Sequence, residues 1–491
     1  MEVGTIISQS STQNFLFAIT GNVKKGNYVK VETQEGELIG FVTEIVRDNK
    51  YFSRPEFVRE AENFGFNLEE QFPASSWEYL IGEVKILGVL KDGEEERVNL
   101  APSPGSKVFL ADEETLKKFF GFDENGLEIG KIKLHDLNVK LNTTRLFKKH
   151  LAVLGISGSG KSHLVNVLIE ELLRKENSPA IIIIDPHGEY TNFSQDPKFS
   201  FKTKVFDGKE IRFATQDITS FGFSELIPDM SSAQRRDLSS ILKKLKEGKK
   251  SFTIEDVIKE VKNSEFDKKL KNALISWLSE LDSLNLFSNV NFPTINELAR
   301  VNGLSVIDLS NIVNLKEKQI IVARIGRILF EERRRGNIPP FIFIVEEAHQ
   351  FAPHKEESLA ISKGIIEQIA REGRKFFASL VLVSQRPVRL STTALSQCNT
   401  QIILRITNPL DIQHVEESSE GITKEVAQMI SSLKVGEAFI VGEAVNSPVL
   451  IKVRNRSVEG KKDKSMEEAI KDFVEESKAK KEYIDCLLYT S

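Results

Sequence analysis

The stretch that decides the fold of this chain is Gly155-Ile156-Ser157-Gly158-Ser159-Gly160-Lys161-Ser162. It fits the pattern G-x-x-x-x-G-K-[ST] at every fixed position. Four apolar residues, Leu151 to Leu154, precede it and predict a short buried strand. Apolar residues recur at helical spacing after it. A strand, a glycine-rich loop and a helix in this order distinguish a phosphate-binding loop from a chance turn, so the sequence predicts a nucleotide-binding α/β domain.

Each residue type in this loop has a chemical reason. The glycines let successive backbone N–H groups converge on a phosphate at a helix N-terminus, where the helix dipole also favours anions. The Lys161 ammonium would contact the β- and γ-phosphates, and the Ser162 hydroxyl would ligate Mg²⁺. We expect the loop Gly155 to Ser162, with His163 directly after it, to bind ATP and Mg²⁺.

Two carboxylates follow the apolar run Phe341 to Val345, which predicts a buried strand. Phosphoryl transfer to water needs one carboxylate near the Mg²⁺ ion and one group that orients the water. Of the pair, Glu346 is predicted to ligate the metal and Glu347 to act on the water. A solvated pair at a strand end is the alternative.

Two further strands end in polar side chains. Asp185 follows the apolar residues 181–184, and Gln385 follows the strand that contains residues 381–383. Ligands lie at the carboxyl ends of parallel strands, which makes Asp185 a candidate catalytic group. A helix cap or turn former is the alternative for Asp185. Gln385 could sense the γ-phosphate or position water, and a plain strand-end polar residue is equally compatible.

Arginines end the helix predicted after the carboxylate pair, in the run Arg371-Glu372-Gly373-Arg374-Lys375. An arginine from a neighbouring subunit could complete a nucleotide site there and increase the rate by about 10³ to 10⁵. Arg371 and Arg374 are therefore candidate catalytic residues that act in trans. A solvated helix end is the alternative for each of them.

Turn signals and periodicity divide the chain into five units. Short β-rich runs separated by turns predict a small N-terminal β-barrel, and strands that alternate with helices predict a mostly parallel sheet covered by helices. Ser231 with Gln234 predicts a capping box, and Gly336 predicts the end of a helix that begins near Leu315. The predicted units are a barrel (1–110), an α/β core with the P-loop (111–216), a helical insertion (217–300), the second part of the core (301–455) and a C-terminal helical tail (456–491).

The overall composition is ordinary, with a formal net charge of −4. No global positive field therefore attracts nucleic acid, and any DNA contact has to come from local clusters of Lys and Arg. Two cysteines, Cys398 and Cys486, cannot form a disulfide framework, which fits a reducing compartment. The apolar runs are far shorter than the about 20 residues of a membrane helix. We expect a cytoplasmic protein without membrane association.

Three motifs carry a resemblance to a known family. They are the P-loop, the run Asp185-Pro186-His187-Gly188-Glu189-Tyr190, and the strand that ends in Glu346-Glu347-Ala348-His349, with Ser384-Gln385-Arg386-Pro387 after them. With a small barrel in front, the chain resembles the HerA–FtsK family of hexameric DNA-translocating P-loop ATPases, specifically its archaeal HerA branch. The second and third motifs are more diagnostic than the P-loop, which many families share.

This resemblance implies a RecA-like core, six subunits around double-stranded DNA, and ATP bound between neighbours. It also implies that the barrel docks the nuclease NurA and that the pair resects DNA ends in double-strand break repair. The residues that match the family's catalytic motifs are Lys161, Ser162, Asp185, Glu346, Glu347 and Gln385. Arg371 or Arg374 matches the region of its trans-acting arginine. Lys149, or Lys148, matches a basic position that can reach a nucleotide, and the C-terminal tail matches a segment that braces the adjacent subunit.

Other functions share parts of this pattern. A secretion or conjugation motor of the VirB4/TrwB type has the same core, but such motors usually associate with membranes. A rotary-ATPase subunit also combines a barrel with a RecA-like core, but the run from Asp185 to Tyr190 favours HerA. An ATP-gated DNA-binding scaffold would bind nucleotide without productive turnover. Intact Lys161, Glu346 and Glu347 argue against the scaffold.

Overall fold

The computed structural model describes residues 1–49, 55–64, 78–354, 360–419, 422 and 424–459, with 466–468, 470–471 and 473–474. These residues form an N-terminal β-barrel, a large α/β domain and a group of helices inserted into that domain. Most of the C-terminal tail predicted over 456–491 lies outside the described residues.

The barrel closes on itself through a pairing between its second and fifth strands. The strand order is β2-β1-β7-β3-β4-β5, and β6 pairs antiparallel with the end of β5. Closure leaves no unpaired edge along the barrel wall, and the inward-facing residues form an apolar core. The elements are β1 (Glu2–Ile7), β2 (Asn14–Ile19), β3 (Tyr28–Thr33), β4 (Gly36–Asn49), α1 (Pro55–Asn63), β5 (Glu78–Lys91), β6 (Glu94–Glu96) and β7 (Lys107–Leu110).

The α/β domain is built on one large sheet with strand order β12-β15-β11-β16-β17-β10-β18-β19-β20-β8-β9. The pairings from β12 to β18 are parallel and the remaining ones are antiparallel. The central strands are apolar throughout because helices cover both faces. The strands are β8 (Leu127–Ile132), β9 (Asn138–Leu141), β10 (Leu151–Leu154), β11 (Ala180–Asp185), β12 (Thr203–Asp207), β15 (Leu304–Asp308), β16 (Phe341–Val345), β17 (Ala378–Ser384), β18 (Thr400–Ile403), β19 (Glu437–Gly442) and β20 (Val449–Val453), with β13 (Phe213–Ala214) and β14 (Phe287–Ser288) in a separate ribbon.

Helices connect these strands, and a group of them forms the insertion between β13 and β15. The predicted capping box at Ser231 and Gln234 is confirmed, as is the predicted helix end at Gly336, which has φ +80°. The helices are α2 (Glu113–Phe120), α3 (Thr143–Phe147), α4 (Lys161–Arg174), α5 (Ser220–Leu226), α6 (Ser232–Gly248), α7 (Ile254–Asn263), α8 (Lys268–Ser283), α9 (Ile295–Leu298), α10 (Leu315–Arg335), α11 (Ala348–Phe351), α12 (Lys363–Glu372), α13 (Thr392–Leu395), α14 (Pro409–Ser418) and α15 (Lys424–Ser431).

Tyr28 joins the barrel to the α/β domain. Its buried ring lies 5.1 Å from the rings of Phe41 in the barrel and Phe120 in α2. Its hydroxyl accepts a hydrogen bond from the N–H of Leu450 at 3.1 Å, and its own N–H donates to Nε2 of His135 at 3.1 Å. Because these groups are buried and paired, the barrel is packed against the antiparallel end of the large sheet.

His150 is a buried titratable group directly before β10. Its Nδ1 accepts the N–H of Leu380 at 3.0 Å, so its Nε2, 2.9 Å from the carbonyl oxygen of Ala370, carries the proton. Burial lowers the pKa of His150 to about 4. The neutral imidazole therefore ties the start of β10 to both α12 and β17.

We expect His150 to make the fold sensitive to acid. An unfolded histidine has a pKa of about 6.5, so the unfolded chain binds the extra proton first as the pH falls from 6.5 towards 4. The stability from neutral His150 is present above pH 6.5, and up to about 3 kcal/mol is lost by pH 4. Thermal unfolding of the wild type and of His150→Gln between pH 7.5 and 4.5 tests this. The variant should be less stable at pH 7.5 but less dependent on pH, and equal pH slopes would rule out His150 as the source.

Candidate functional site

The candidate site lies where the carboxyl ends of four neighbouring parallel strands meet. The strands stand in the order β11-β16-β17-β10, and their pairing registers are parallel and in line. Asp185, Glu346, Ser384 and Gly155 end or follow these strands. One edge of the sheet thus collects the P-loop and the polar side chains that the sequence predicted at strand ends.

The P-loop has the geometry of an anion cradle. Gly158 and Gly160 have φ values of +73° and +106°, which favour glycine, and a Cβ on Gly158 would point into open space. Helix α4 begins at Lys161 without a side-chain cap on its first turn. The N–H groups of that turn are therefore available to an anion, and the helix dipole favours a phosphate there.

The Lys161 side chain points into the loop. It is largely buried, and its Nζ donates a hydrogen bond to the carbonyl oxygen of Ile156 at 3.1 Å. Burial lowers the pKa of Lys161, while the charges of Glu347, Glu346 and Glu189 oppose that shift. Within the described ranges Lys161 makes no ion pair closer than 4.0 Å. The ammonium is thus near the acidic pair without being neutralised by direct contact.

Glu346 is buried and held by a tyrosine. Its Oε1 accepts a hydrogen bond from the hydroxyl of Tyr190, whose ring is also fully buried. Burial raises the pKa of Glu346 to about 8; Glu189 and Glu347 act in the same direction, whereas Tyr190 and Lys161 oppose it. A carboxylate in this position fits a cation ligand, because a buried charge is stabilised only by a partner of opposite sign.

Glu347 is held in a strained backbone conformation, with φ +50°. A residue other than glycine in the left-handed region is strained by about 1 kcal/mol or more, and such strained residues cluster at functional sites. Its Oε2 accepts a hydrogen bond from Nε2 of Gln385 at 3.2 Å and lies 3.3 Å from Nδ1 of His349. Burial and then Arg386 and Arg389 lower the pKa of His349 to about 4, so this contact joins a neutral ring to the carboxyl group.

Asp185 anchors the loop that follows β11. Its carboxylate accepts the backbone N–H groups of His187 at 3.2 Å, Glu189 at 3.0 Å and Tyr190 at 2.9 Å. These contacts match the alternative considered from the sequence, a turn former. They also hold the loop that carries Tyr190, whose hydroxyl contacts Glu346.

The structure does not bring the predicted arginines and Lys149 to the P-loop of their own chain. Arg371 and Arg374 precede β17, and Lys149 precedes β10, so all three lie at the amino ends of the strands. β17 has 7 residues, which separates the two edges by about 20 Å. Lys149 instead forms an ion pair with Glu443. Any contact of these residues with nucleotide has to involve another subunit.

The His163 ring points away from the open side of the P-loop. Its Nε2 lies 2.8 Å from the carbonyl oxygen of Arg454, which follows β20. His163 therefore fixes the first turn of α4 to the antiparallel part of the sheet. Only its backbone N–H, in the uncapped turn, faces the anion cradle.

Sequence reasoning missed Tyr190 and the contact role of His349. In the sequence, Tyr190 is only the last residue of one diagnostic motif and His349 only the last residue of another. Strand spacing could not show that the Tyr190 hydroxyl reaches Glu346, because the two residues are 156 positions apart in the chain. The signal that could have found Tyr190 is its place after an acidic strand end, in a loop that returns to the same edge of the sheet.

Two types of feature are absent from the described part of the chain. No group of three or more His, Cys, Asp and Glu side chains could hold a metal ion by itself. No helix in those ranges has the length and apolar character needed to cross a membrane. A metal ion at the site would therefore need ligands from the nucleotide and water in addition to Ser162 and Glu346.

Two family models and several relatives match this chain. The family model described as "Helicase HerA, central domain" matches residues 127–329, and the HAS barrel domain model matches residues 3–92. A probable helicase of Methanocaldococcus jannaschii is 30% identical, with 92% of this chain and 95% of the relative covered. A DNA double-strand break repair helicase HerA of Pyrococcus furiosus is 29% identical, with 92% of each chain covered.

Solved structures show the fold of the α/β domain. VirB4 of Thermoanaerobacter pseudethanolicus has a TM-score of 0.55 at 15% identity, covering 68% of this chain and 98% of that one. The bacterial conjugative coupling protein TrwB has a TM-score of 0.51 at 12% identity, covering 72% of this chain and 94% of that one. The predicted RecA-like P-loop core with an N-terminal barrel and a helical insertion is confirmed.

Proposed function

Because the chain belongs to the HerA helicase family, we propose that it is an ATP-driven motor that translocates along double-stranded DNA as a homo-hexamer. One structural observation supports ATP hydrolysis independently of the family relationship. Two carboxyl groups, Glu346 and Glu347, are held separately by Tyr190 and by Gln385 beside the P-loop. Such divided positioning is what hydrolysis needs and what a scaffold that only binds nucleotide has no use for.

ATP and Mg²⁺ are the substrate and cofactor that this site fits. The uncapped first turn of α4 and the open space over Gly158 provide a phosphate cradle, and Lys161 lies beside it. Ser162 and Glu346 are the residues that would hold Mg²⁺, an ion that prefers oxygen ligands and keeps several waters. When bound, Mg²⁺ neutralises charge on the β- and γ-phosphates.

The two acids have different tasks in this proposal. Glu347 holds the attacking water and accepts its proton, and Gln385 keeps the Glu347 carboxylate in place through its 3.2 Å hydrogen bond. Lys161 moves from the carbonyl oxygen of Ile156 to the phosphates, where its charge stabilises the transferring group. The strained backbone at Glu347 fixes this orientation before substrate binds.

The position of the arginines supports a ring. Arg371 has 53% of its side chain exposed and lies about one strand length from its own P-loop. An exposed arginine at the opposite edge of the sheet is suitable for the nucleotide of a neighbouring subunit. We propose that Arg371 or Arg374 acts in trans, with Lys149 as a further basic group at the same edge.

We predict that Tyr190 positions Glu346. Tyr190→Phe removes the hydroxyl that donates to Glu346 Oε1 and keeps the buried ring. We expect kcat for ATP hydrolysis to fall about 10-fold and more Mg²⁺ to be needed for half-maximal rate, because the carboxylate is no longer oriented. Steady-state turnover across a Mg²⁺ series measures both. Phe193→Leu, which alters a buried ring in the same loop region, is the control. An unchanged Mg²⁺ dependence would show that Tyr190 only fills space.

The barrel offers a docking surface for a nuclease of the NurA type. Val46 is 52% exposed and Tyr79 is 40% exposed, and the register of β4 and β5 places them on one face with Ile81. Exposed apolar side chains that share a face are typical of protein interfaces. We propose that NurA binds here and that the complex resects DNA ends in double-strand break repair.

A triplex-displacement assay tests the motor function. The chain should remove a third DNA strand from a duplex in an ATP-dependent manner, and it should do so without NurA. Retained triplex in the presence of rapid ATP hydrolysis would contradict translocation on DNA and favour a motor of the secretion or conjugation type. DNA binding without hydrolysis would favour the ATP-gated scaffold.

A further inference from the structure

A cavity whose described lining residues include none of the P-loop lies between the inserted helices and α10. Its volume is about 830 Å³, and its wall includes Phe213, Gln216, Phe221, Glu225, Arg324 and Arg327. Sites for cofactors and other small ligands usually have roughly 300 to 1,000 Å³. The cavity is therefore large enough for a nucleotide-sized molecule.

Arg324 is the unusual residue of this wall. It is 6% exposed, and its guanidinium donates no hydrogen bond to any residue that the structure describes. Its Nε is buried without a partner, and Cζ lies 5.9 Å from the ring centroid of Phe213. A buried guanidinium without a protein partner is unfavourable by several kcal/mol unless water or an anion solvates it, so this wall of the cavity favours an anion.

Arg327 lies in the same wall, one turn further along α10, and its guanidinium has protein partners. It forms an ion pair with Glu225 and donates to Oε1 of Gln368 at 2.6 Å. Glu331 and Asp217 attract Arg324 at longer range but do not reach ion-pair distance. Glu225, one of the acids of the insertion that attract Arg324, is thus already paired with Arg327.

The rest of the wall indicates what accompanies the anion. Oε1 of Gln216 is buried without a hydrogen-bond partner, while its Nε2 donates to the carbonyl oxygen of Asn289 at 2.9 Å. The rings of Phe213 and Phe221 provide apolar surface for a flat group.

We propose that this cavity is a second ligand site, which binds a nucleoside monophosphate. Its phosphate pairs with Arg324, and its base packs on the phenylalanine rings. The site is separate from the ATP site, because none of the described residues that line it belongs to the P-loop or to the acidic pair. Helix α10 also carries Lys318, whose Nζ donates to the carbonyl oxygen of Pro186 at 3.5 Å. The same helix thus connects the cavity with the Asp185 loop.

Equilibrium dialysis of labelled AMP against the full chain, with ADP and Mg²⁺ saturating the P-loop, tests the proposal. AMP should bind saturably in the presence of ADP, and inorganic phosphate should compete with it. Arg324→Met should weaken AMP binding at least about 10-fold, because a charge-assisted pair is lost. Arg334→Met, on the same helix but outside the cavity wall, should bind AMP like the wild type.

Thermal unfolding separates a ligand site from a structural arginine. Without AMP, Arg324→Met should unfold at the same temperature as the wild type or higher, since it removes an unpaired buried charge. AMP should raise the unfolding temperature of the wild type and of Arg334→Met only. Absence of ADP-resistant AMP binding to the wild type, or equal AMP binding to Arg324→Met, would overturn the proposal. A change of oligomeric state in Arg324→Met without AMP binding would also overturn it and assign the anion to a neighbouring subunit.

Discussion

Lys161→Ala is expected to reduce ATP turnover at least about 100-fold. Lys161 is the cation nearest to the phosphate cradle, and its Nζ now rests on the carbonyl oxygen of Ile156. Removing it deletes a charge-assisted contact to the transferring phosphoryl group, which is stronger in the transition state than in the ground state. Steady-state phosphate release at saturating ATP and Mg²⁺ measures the loss.

Lys118→Ala is the matched control, because Lys118 is exposed on α2 and pairs only with Glu114 among the described residues. It should keep wild-type turnover. Thermal unfolding should show that the Lys161 variant is folded, which has to be measured because truncation also removes the buried methylene chain of the lysine. Turnover of the folded Lys161 variant within a few-fold of wild type would contradict the assignment of the P-loop.

Glu347→Gln is expected to stop hydrolysis while nucleotide binding continues. The amide cannot accept the proton of the attacking water, so we expect turnover to fall about 10² to 10³-fold. Binding should persist, because the phosphate cradle and Glu346 are intact. Stopped turnover together with ATP-dependent accumulation of a ring on DNA is the predicted outcome, measured by phosphate release and by size fractionation.

Glu346→Gln is the variant to compare with Glu347→Gln. It keeps the Tyr190 contact but removes the charge beside the metal position, so Mg²⁺-dependent binding of ATP should weaken. Nucleotide affinity measured with and without Mg²⁺ distinguishes the two variants. If Glu347→Gln loses binding and Glu346→Gln retains it, the roles of the two acids are reversed.

The sequence predicts the structural features that depend on residues close together in the chain. The P-loop, the buried strands around residues 181–184 and 341–345 and the capping box at Ser231 are each specified by residues close together in the chain, so spacing and apolar runs suffice. The parallel order of the strands then brings their polar ends to one edge. For that reason Glu347 and Gln385, predicted from two separate strands, are in contact.

What the sequence could not provide depends on packing. Tyr190 contacts Glu346, and His349 contacts Glu347. Both contacts depend on the directions of side chains after the strand ends, which the sequence pattern does not specify. The position of Lys149 could have been foreseen, since a residue before a strand lies at the opposite edge from the loop after it. The buried, unpaired state of Arg324 required the insertion to be placed on α10, because helical periodicity cannot show which acids reach it.

The most direct test of the motor function is steady-state ATP turnover at fixed salt, with and without linear double-stranded DNA, on a size-fractionated sample. We expect strong stimulation by DNA in the fraction that has the size of a six-subunit ring, and none in the Glu347→Gln chain. Turnover that is the same with and without DNA in that fraction would contradict a DNA translocase.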